Sequence, residues 1–185
     1  MMRWSALLML PLLSGCWIGP DFYAGTPSEQ AVAPGIYAPV ASGGVLPDIV
    51  QSLMNEPVGS RIRIAYAPDN RIVIDTRPYT EDARGMRFVP LDRARGLYVV
   101  EVDPGQGEVE TGRRIYGLVT LTPRGYRLSV PVCDGTRRLS PGSPVIVRGV
   151  LFGLRCIYND KAAFETAMRD FADNPVSWTD YARVK

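Results

Sequence analysis

The chain has 185 residues, 46% hydrophobic and 22% charged, enough for one globular domain with its own apolar core. Its formal net charge of +2 sets up no strong field toward nucleic acid or an acidic surface. Histidine is absent, which excludes Ser-His-Asp and Cys-His catalytic sets and takes away the commonest metal ligand and the usual near-neutral pH switch.

Met1-Met2-Arg3 carries one positive charge, and Trp4 to Leu13 is an apolar run. A permanent membrane-spanning helix takes about 20 residues, so this run is of signal-peptide length instead. Leu13-Ser14-Gly15-Cys16 follows it. These residues resemble the lipobox of bacterial lipoprotein precursors: a large aliphatic residue, two small residues, then a cysteine. The resemblance covers residues 1 to 16. It implies that residues 1 to 15 are a signal peptide and that the Cys16 thiol accepts a diacylglyceryl group. Small Ser14 and Gly15 let the backbone enter the peptidase that cuts before Cys16. Two or more acyl chains then hold the protein firmly to a membrane. Trp17 follows the cysteine, where an aspartate would favour inner-membrane retention. The resemblance therefore implies the outer membrane, facing the periplasm, with the inner membrane or the cell surface as alternatives.

Residues 16 to 45 read as a lipidated cysteine and a tether, broken by Gly19-Pro20, Thr26-Pro27-Ser28, Pro34-Gly35, Pro39 and Ser42-Gly43-Gly44. A flexible chain of this length spans about 30 Å. The alternative is that Phe22, Tyr23, Ile36 and Tyr37 pack on the domain as an irregular arm. A globular domain is expected over residues 46 to 175, with a tail over 176 to 185.

Within that domain, Leu46 to Met54 has helical spacing and is stopped by Pro57 and Gly59. Arg61 to Tyr66 and Arg71 to Thr76 alternate about a Pro68-Asp69-Asn70 turn and read as a hairpin. Met86 to Leu91, Leu97 to Val102, Arg114 to Thr122, Tyr126 to Val132 and Pro144 to Val150 read as further strands. Asn159 to Asp173 returns to helical period, with Ala163, Phe164, Ala167, Met168 and Phe171 as its apolar stripe, Asn159 or Asp160 as cap, and Asn174-Pro175 as stop. The expected class is α+β, an antiparallel β-meander with a C-terminal amphipathic helix packed on one face.

An exported chain meets an oxidising compartment, so Cys133 and Cys156 are expected to form a disulfide. Three groups of residues are candidates for chemistry. The arginines Arg61, Arg63, Arg71, Arg114 and Arg127 are a candidate surface patch for phosphate or carboxylate partners, or a solvated face balanced by Asp75 and Glu101. Leu151-Phe152-Gly153-Leu154 with Tyr158 lines either a pocket for an acyl chain or the core under the helix. Glu81 with Asp82, or Glu101 with Asp103, is the pairing a carboxylate hydrolase needs. No catalytic residue, cofactor or metal site is expected. The reading is a membrane-anchored, non-enzymatic envelope component with a protein or cell-wall partner and no nucleic acid. A carrier of an apolar ligand between sheet and helix is the alternative, and a carboxylate hydrolase the remote one.

Overall fold

The computed structural model describes residues 17–44, 61–75, 86–103, 112–131, 133, 145–148 and 154–184. The lipobox residues Leu13, Ser14, Gly15 and Cys16, the helix expected from Leu46, the pair Glu81 and Asp82, and Leu151 to Gly153 lie outside them. In chain order the elements are β1 (Trp17–Pro20), β2 (Gly35–Gly44), β3 (Ile62–Tyr66), β4 (Ile72–Asp75), β5 (Met86–Asp92), β6 (Leu97–Val102), β7 (Arg113–Thr122), β8 (Gly125–Ser129), β9 (Val145–Arg148) and β10 (Leu154–Ile157). The helix α1 (Lys161–Asp173) and the strand β11 (Ser177–Arg183) complete the series.

The class is α+β with a single helix among the described residues. The sheet is mixed and is not a simple meander. Strands β2 to β8 follow one another as antiparallel neighbours, but β11 inserts between β8 and β2. Because β6 also pairs with β7, the ladder β2–β3–β4–β5–β6–β7–β8–β11 returns to β2 and closes a ring. Closure removes the free edges that an open sheet leaves. The parallel pairing lies outside this ring: β1 joins β7 antiparallel and β10 parallel, and β9 extends β10.

Alternation along the strands builds two cores. Tyr98 and Val100 of β6 face into the ring, where they meet Tyr37, Phe88, Tyr126 and Tyr181. Val99 points out, with Val89, Tyr116 and Leu118, into a second core closed by Phe164, Met168 and Phe171 of α1. Both faces of this wall are buried, which is why β6 reads as the nearly unbroken apolar run Leu-Tyr-Val-Val. Asp160 caps α1 by accepting the Ala163 N–H at 2.7 Å, and the helix ends at Asn174 before Pro175.

The expected tether and tail are both corrected. Residues 17 to 44 belong to the folded domain: Trp17, Tyr23, Val32 and Tyr37 are each no more than 4% exposed. Pro20 ends β1, Gly35 starts β2 and Pro39 sits at a register shift opposite β11, so these breakers occupy places a sheet tolerates. Gly43 leaves room for the Trp178 indole, which a Cβ there would meet at 2.7 Å. Residues 177 to 183 are β11, the strand that closes the ring.

Residues 28 to 33 also bridge the seam beside β4 and β5. Among the described residues these strands share one register pair, Ile72 with Met86. Ser28 Oγ donates to the Asn70 carbonyl at 2.8 Å and accepts the Phe88 N–H at 3.3 Å. The Glu29 N–H donates to the Phe88 carbonyl at 2.9 Å, and the Tyr66 hydroxyl donates to the Val32 carbonyl at 2.6 Å. Asn70 has a φ of 61°, a left-handed turn conformation that asparagine tolerates better than most residues.

Candidate functional site: the N-terminal clasp

The densest group of charged side chains among the described residues sits where the turn after β1 crosses β5, β6 and β7. Register places Arg87 opposite Glu101, and Glu101 opposite Tyr116. Arg87 Nε donates to Glu101 Oε1 at 2.8 Å, and its Nη2 lies 2.6 Å from the same oxygen. That Nη2 also donates to Asp21 Oδ1 at 2.6 Å. Arg114 closes the other side, 3.5 Å from Glu101 Oε1, 3.6 Å from Asp21 Oδ2 and 3.3 Å from Asp103 Oδ2.

Glu101 is 3% exposed, and its Oε2 has no hydrogen-bond partner among the described residues. Burial raises its carboxyl above the ordinary range, against the lowering pull of Arg87 and Arg114. Burial likewise raises the Tyr116 phenol. That hydroxyl donates to the Pro20 carbonyl and accepts the Phe22 N–H at 3.3 Å.

Aromatic rings complete the clasp. Phe22 stacks between Tyr116 at 5.8 Å and Phe164 at 5.1 Å. Trp17 lies 4.9 Å from Tyr158 and 5.8 Å from Phe171. The Tyr23 hydroxyl donates to Glu165 of α1 at 3.3 Å, and Lys161 sits 4.5 Å over the Tyr23 ring. The clasp therefore fastens the first seven described residues, Trp17 to Tyr23, to the barrel wall and to the helix.

The Cys133–Cys156 disulfide is present, beside this group in the outer core. It closes a loop of sequence separation 23, worth about 3 kcal/mol under the chain-entropy model. Cys156 pairs in register with Trp17, so the bond ties the segment after β8 to the strand that holds β1.

The five candidate arginines do not form one patch. Arg61 and Arg63 are exposed on the outward side of β3, Arg63 lying opposite Asp75. Arg71 pairs with Asp69 across the hairpin turn. Arg127 lies outside the ring on β8, where Nε and Nη2 bind both oxygens of Asp180 at 2.7 and 3.0 Å. Its guanidinium sits 4.2 Å from the Trp178 ring centroid. Arg114 alone joins the clasp. Strand alternation sends Arg63, Arg114 and Arg127 outward, but the strands that carry them stand on different walls, and Arg61 and Arg71 precede β3 and β4. Tyr158 is core under the helix.

Sequence reasoning did not find Asp21, Arg87 or Tyr116. Asp21 stands in a segment rich in breakers. The Arg87–Glu101 pairing was open to inference from the β5–β6 hairpin, had its register been worked through the irregularity at Pro90.

Among the described residues no group of three or more His, Cys, Asp or Glu is placed to hold a metal, and no helix is long and apolar enough to cross a membrane. Fold and clasp together define a small closed-barrel α+β domain whose N-terminal segment is part of its core. Comparison with protein-family models, curated proteins and solved structures returns no match.

Proposed function

We propose that the chain is a lipid-anchored envelope protein, held in the outer membrane by acyl chains on Cys16 and facing the periplasm, where it acts as a non-enzymatic interaction or structural component. One coincidence carries this reading. The lipobox Leu13-Ser14-Gly15-Cys16 stands directly before Trp17, the first described residue, which is itself buried. A processing site at that point removes the leader and leaves the whole described domain intact. The Cys133–Cys156 disulfide supports export to an oxidising compartment.

Packed cores and two exposed apolar side chains support the interaction role. Val40 is 65% exposed and Ile36 is 36% exposed, both on β2. Packing weighs against the carrier alternative. Inside the ring, Tyr126 stacks on Tyr181 at 5.0 Å and meets Tyr37 at 5.2 Å; under the helix, Phe164 lies 4.7 Å from Tyr116. The hydrolase alternative needs free carboxylates facing a cleft, and Glu101 and Asp103 are engaged by arginine.

The test is Cys16→Ala with palmitate labelling in an envelope-competent host. Loss of label and accumulation of the uncleaved precursor are expected. Undiminished label, or a mature N-terminus other than Cys16, overturns the reading. Crosslinking of the native protein, read by mass spectrometry, identifies the partner.

A further inference from the structure

We infer that Glu101 is a proton-operated latch for the turn after β1: protonated, it keeps Asp21 docked on the barrel wall, and its ionisation lets residues 21 to 25 lift away.

The geometry is that of two acids sharing one cation. Asp21 Oδ1 and Glu101 Oε1 each lie 2.6 Å from Arg87 Nη2. Two carboxylates held that close repel each other, and one proton relieves the repulsion. Glu101 is where the proton belongs. Its Oε2 is buried without a hydrogen-bond partner among the described residues, and a neutral carboxyl costs less there than a charged one. The charged groups around it are Arg87 from β5, Arg114 from β7, Asp21 from the turn and Asp103 from its own strand, with the Tyr116 phenol opposite it in register. Three carboxylates therefore meet two guanidinium groups. Strand alternation sends Arg113 to the other face of β7.

The contacts decide which part moves. Glu101, Arg87 and Arg114 stand on strands of the ring, each paired along its backbone. Asp21 stands on a turn, held to the wall by Arg87, Arg114 and the Tyr116 hydroxyl. Lifting the turn takes the second negative charge away from Glu101. While the turn is docked, burial, with Asp21 adding to it, holds the Glu101 carboxyl above its ordinary value against both arginines. Protonation therefore favours the docked turn, and that preference is lost as pH rises through the raised value. Phe22 moves with Asp21. Its departure opens the slot between Tyr116 of β7 and Phe164 of α1. Glu165, flanked by Lys161 and Arg169, meets Tyr23 from α1 and is the other carboxylate against the turn.

Hydrogen exchange of the full-length protein, read residue by residue by NMR from about pH 4.5 to about pH 7.5, tests the latch. After correction for intrinsic rates, protection of the Phe22 and Tyr23 amides should fall at least about threefold as pH rises. The fall should level off where the Glu101 side-chain carboxyl carbon titrates. Both amides should exchange faster than those of Val99 and Leu118, which open only with the ring. In Glu101→Gln the protection should stay high and flat, and in Glu165→Gln it should fall as in the parent. Protection that ignores pH in the parent overturns the latch, as does a fall that persists in Glu101→Gln or vanishes in Glu165→Gln. Exchange of Phe22 and Tyr23 in step with Val99 and Leu118 overturns it too. Should Glu101→Gln fail to fold, the parent still decides: a Glu101 carboxyl that titrates at or below the ordinary carboxylate value overturns the inference.

Discussion

Arg87 binds Glu101 and Asp21 with one guanidinium: Nε meets Glu101 Oε1 at 2.8 Å, and Nη2 meets Asp21 Oδ1 at 2.6 Å. One partner belongs to the barrel wall and the other to the turn that follows β1. The side chain therefore joins two parts of the chain that lie 80 residues apart (101 − 21). Removing it leaves a buried carboxylate with Arg114, at 3.5 Å, as its remaining cation. Arg87→Met is expected to cost about 3 to 5 kcal/mol, the range for breaking one side of a buried ion pair. Urea melts measure it. Arg93→Met, which removes an exposed pairing with Glu29, should leave the midpoint where it was.

Glu101 gives the clasp a pH signature. Burial holds its carboxyl above the ordinary carboxylate value in the folded chain. Such a group takes up a proton more readily folded than unfolded. Its contribution to stability is therefore fully present below the unfolded value and declines as pH rises through the raised, folded one. Glu101→Gln keeps the shape and removes the titration. The stability of this variant relative to the parent should improve steadily as pH rises from about 4 toward neutrality. A difference that stays flat over that interval, in urea melts at a series of pH values, contradicts the shift.

The helix presents a third case. Phe164 is fully buried against Tyr116, Phe22 and Tyr158. Phe164→Ala should cost about 3 to 5 kcal/mol. Glu165 accepts from Tyr23 and pairs with Arg169 and Lys161. Glu165→Ala should cost about 1 kcal/mol, the usual net worth of such a hydrogen bond. Asp170→Ala, on the exposed side, should stay within about 0.5 kcal/mol. Equal midpoints for Phe164→Ala and the parent would show that α1 is not a lid.

Strands β3 to β8 and the helix were legible because each carries a periodic run with turn residues at its ends. Tyr98 and Val100 share a face in sequence and in structure. The disulfide was legible because only two cysteines follow Cys16. The expected membrane anchor was read from sequence, and its residues lie outside those the structure describes. Strands β1, β2, β10 and β11 were not read as strands. β1 and β11 are held by partners distant in sequence, Trp17 by Cys156 and Trp178 by Gly43, and β10 pairs with β1 as well as with its neighbour β9. Single-segment periodicity has no access to such pairings, and glycine and proline in β2 mimic a linker. The clasp was hidden for the same reason, since Asp21 and Glu101 become neighbours only because β1 and β6 both pair with β7.

The boundaries of the folding unit follow from those long-range pairings. A chain beginning at Leu46 lacks β1 and β2. The ring then opens between β3 and β11, and the seam at Phe88 loses Ser28 and Glu29. It also lacks the buried side chains of Trp17, Tyr23, Val32 and Tyr37. At about 1.5 to 3 kcal/mol for each buried apolar side chain, the loss approaches 10 kcal/mol. A typical domain has about 5 to 15 kcal/mol in all. A chain ending at Pro175 lacks β11, leaving β2 and β8 without the strand between them and Tyr126 without Tyr181. Neither shortened chain should unfold cooperatively by circular dichroism or give dispersed amide resonances. The chain from Trp17 to Lys185 should do both, with its disulfide formed. A cooperative melt with dispersed resonances from the Leu46 chain would return residues 17 to 44 to the status of a tether.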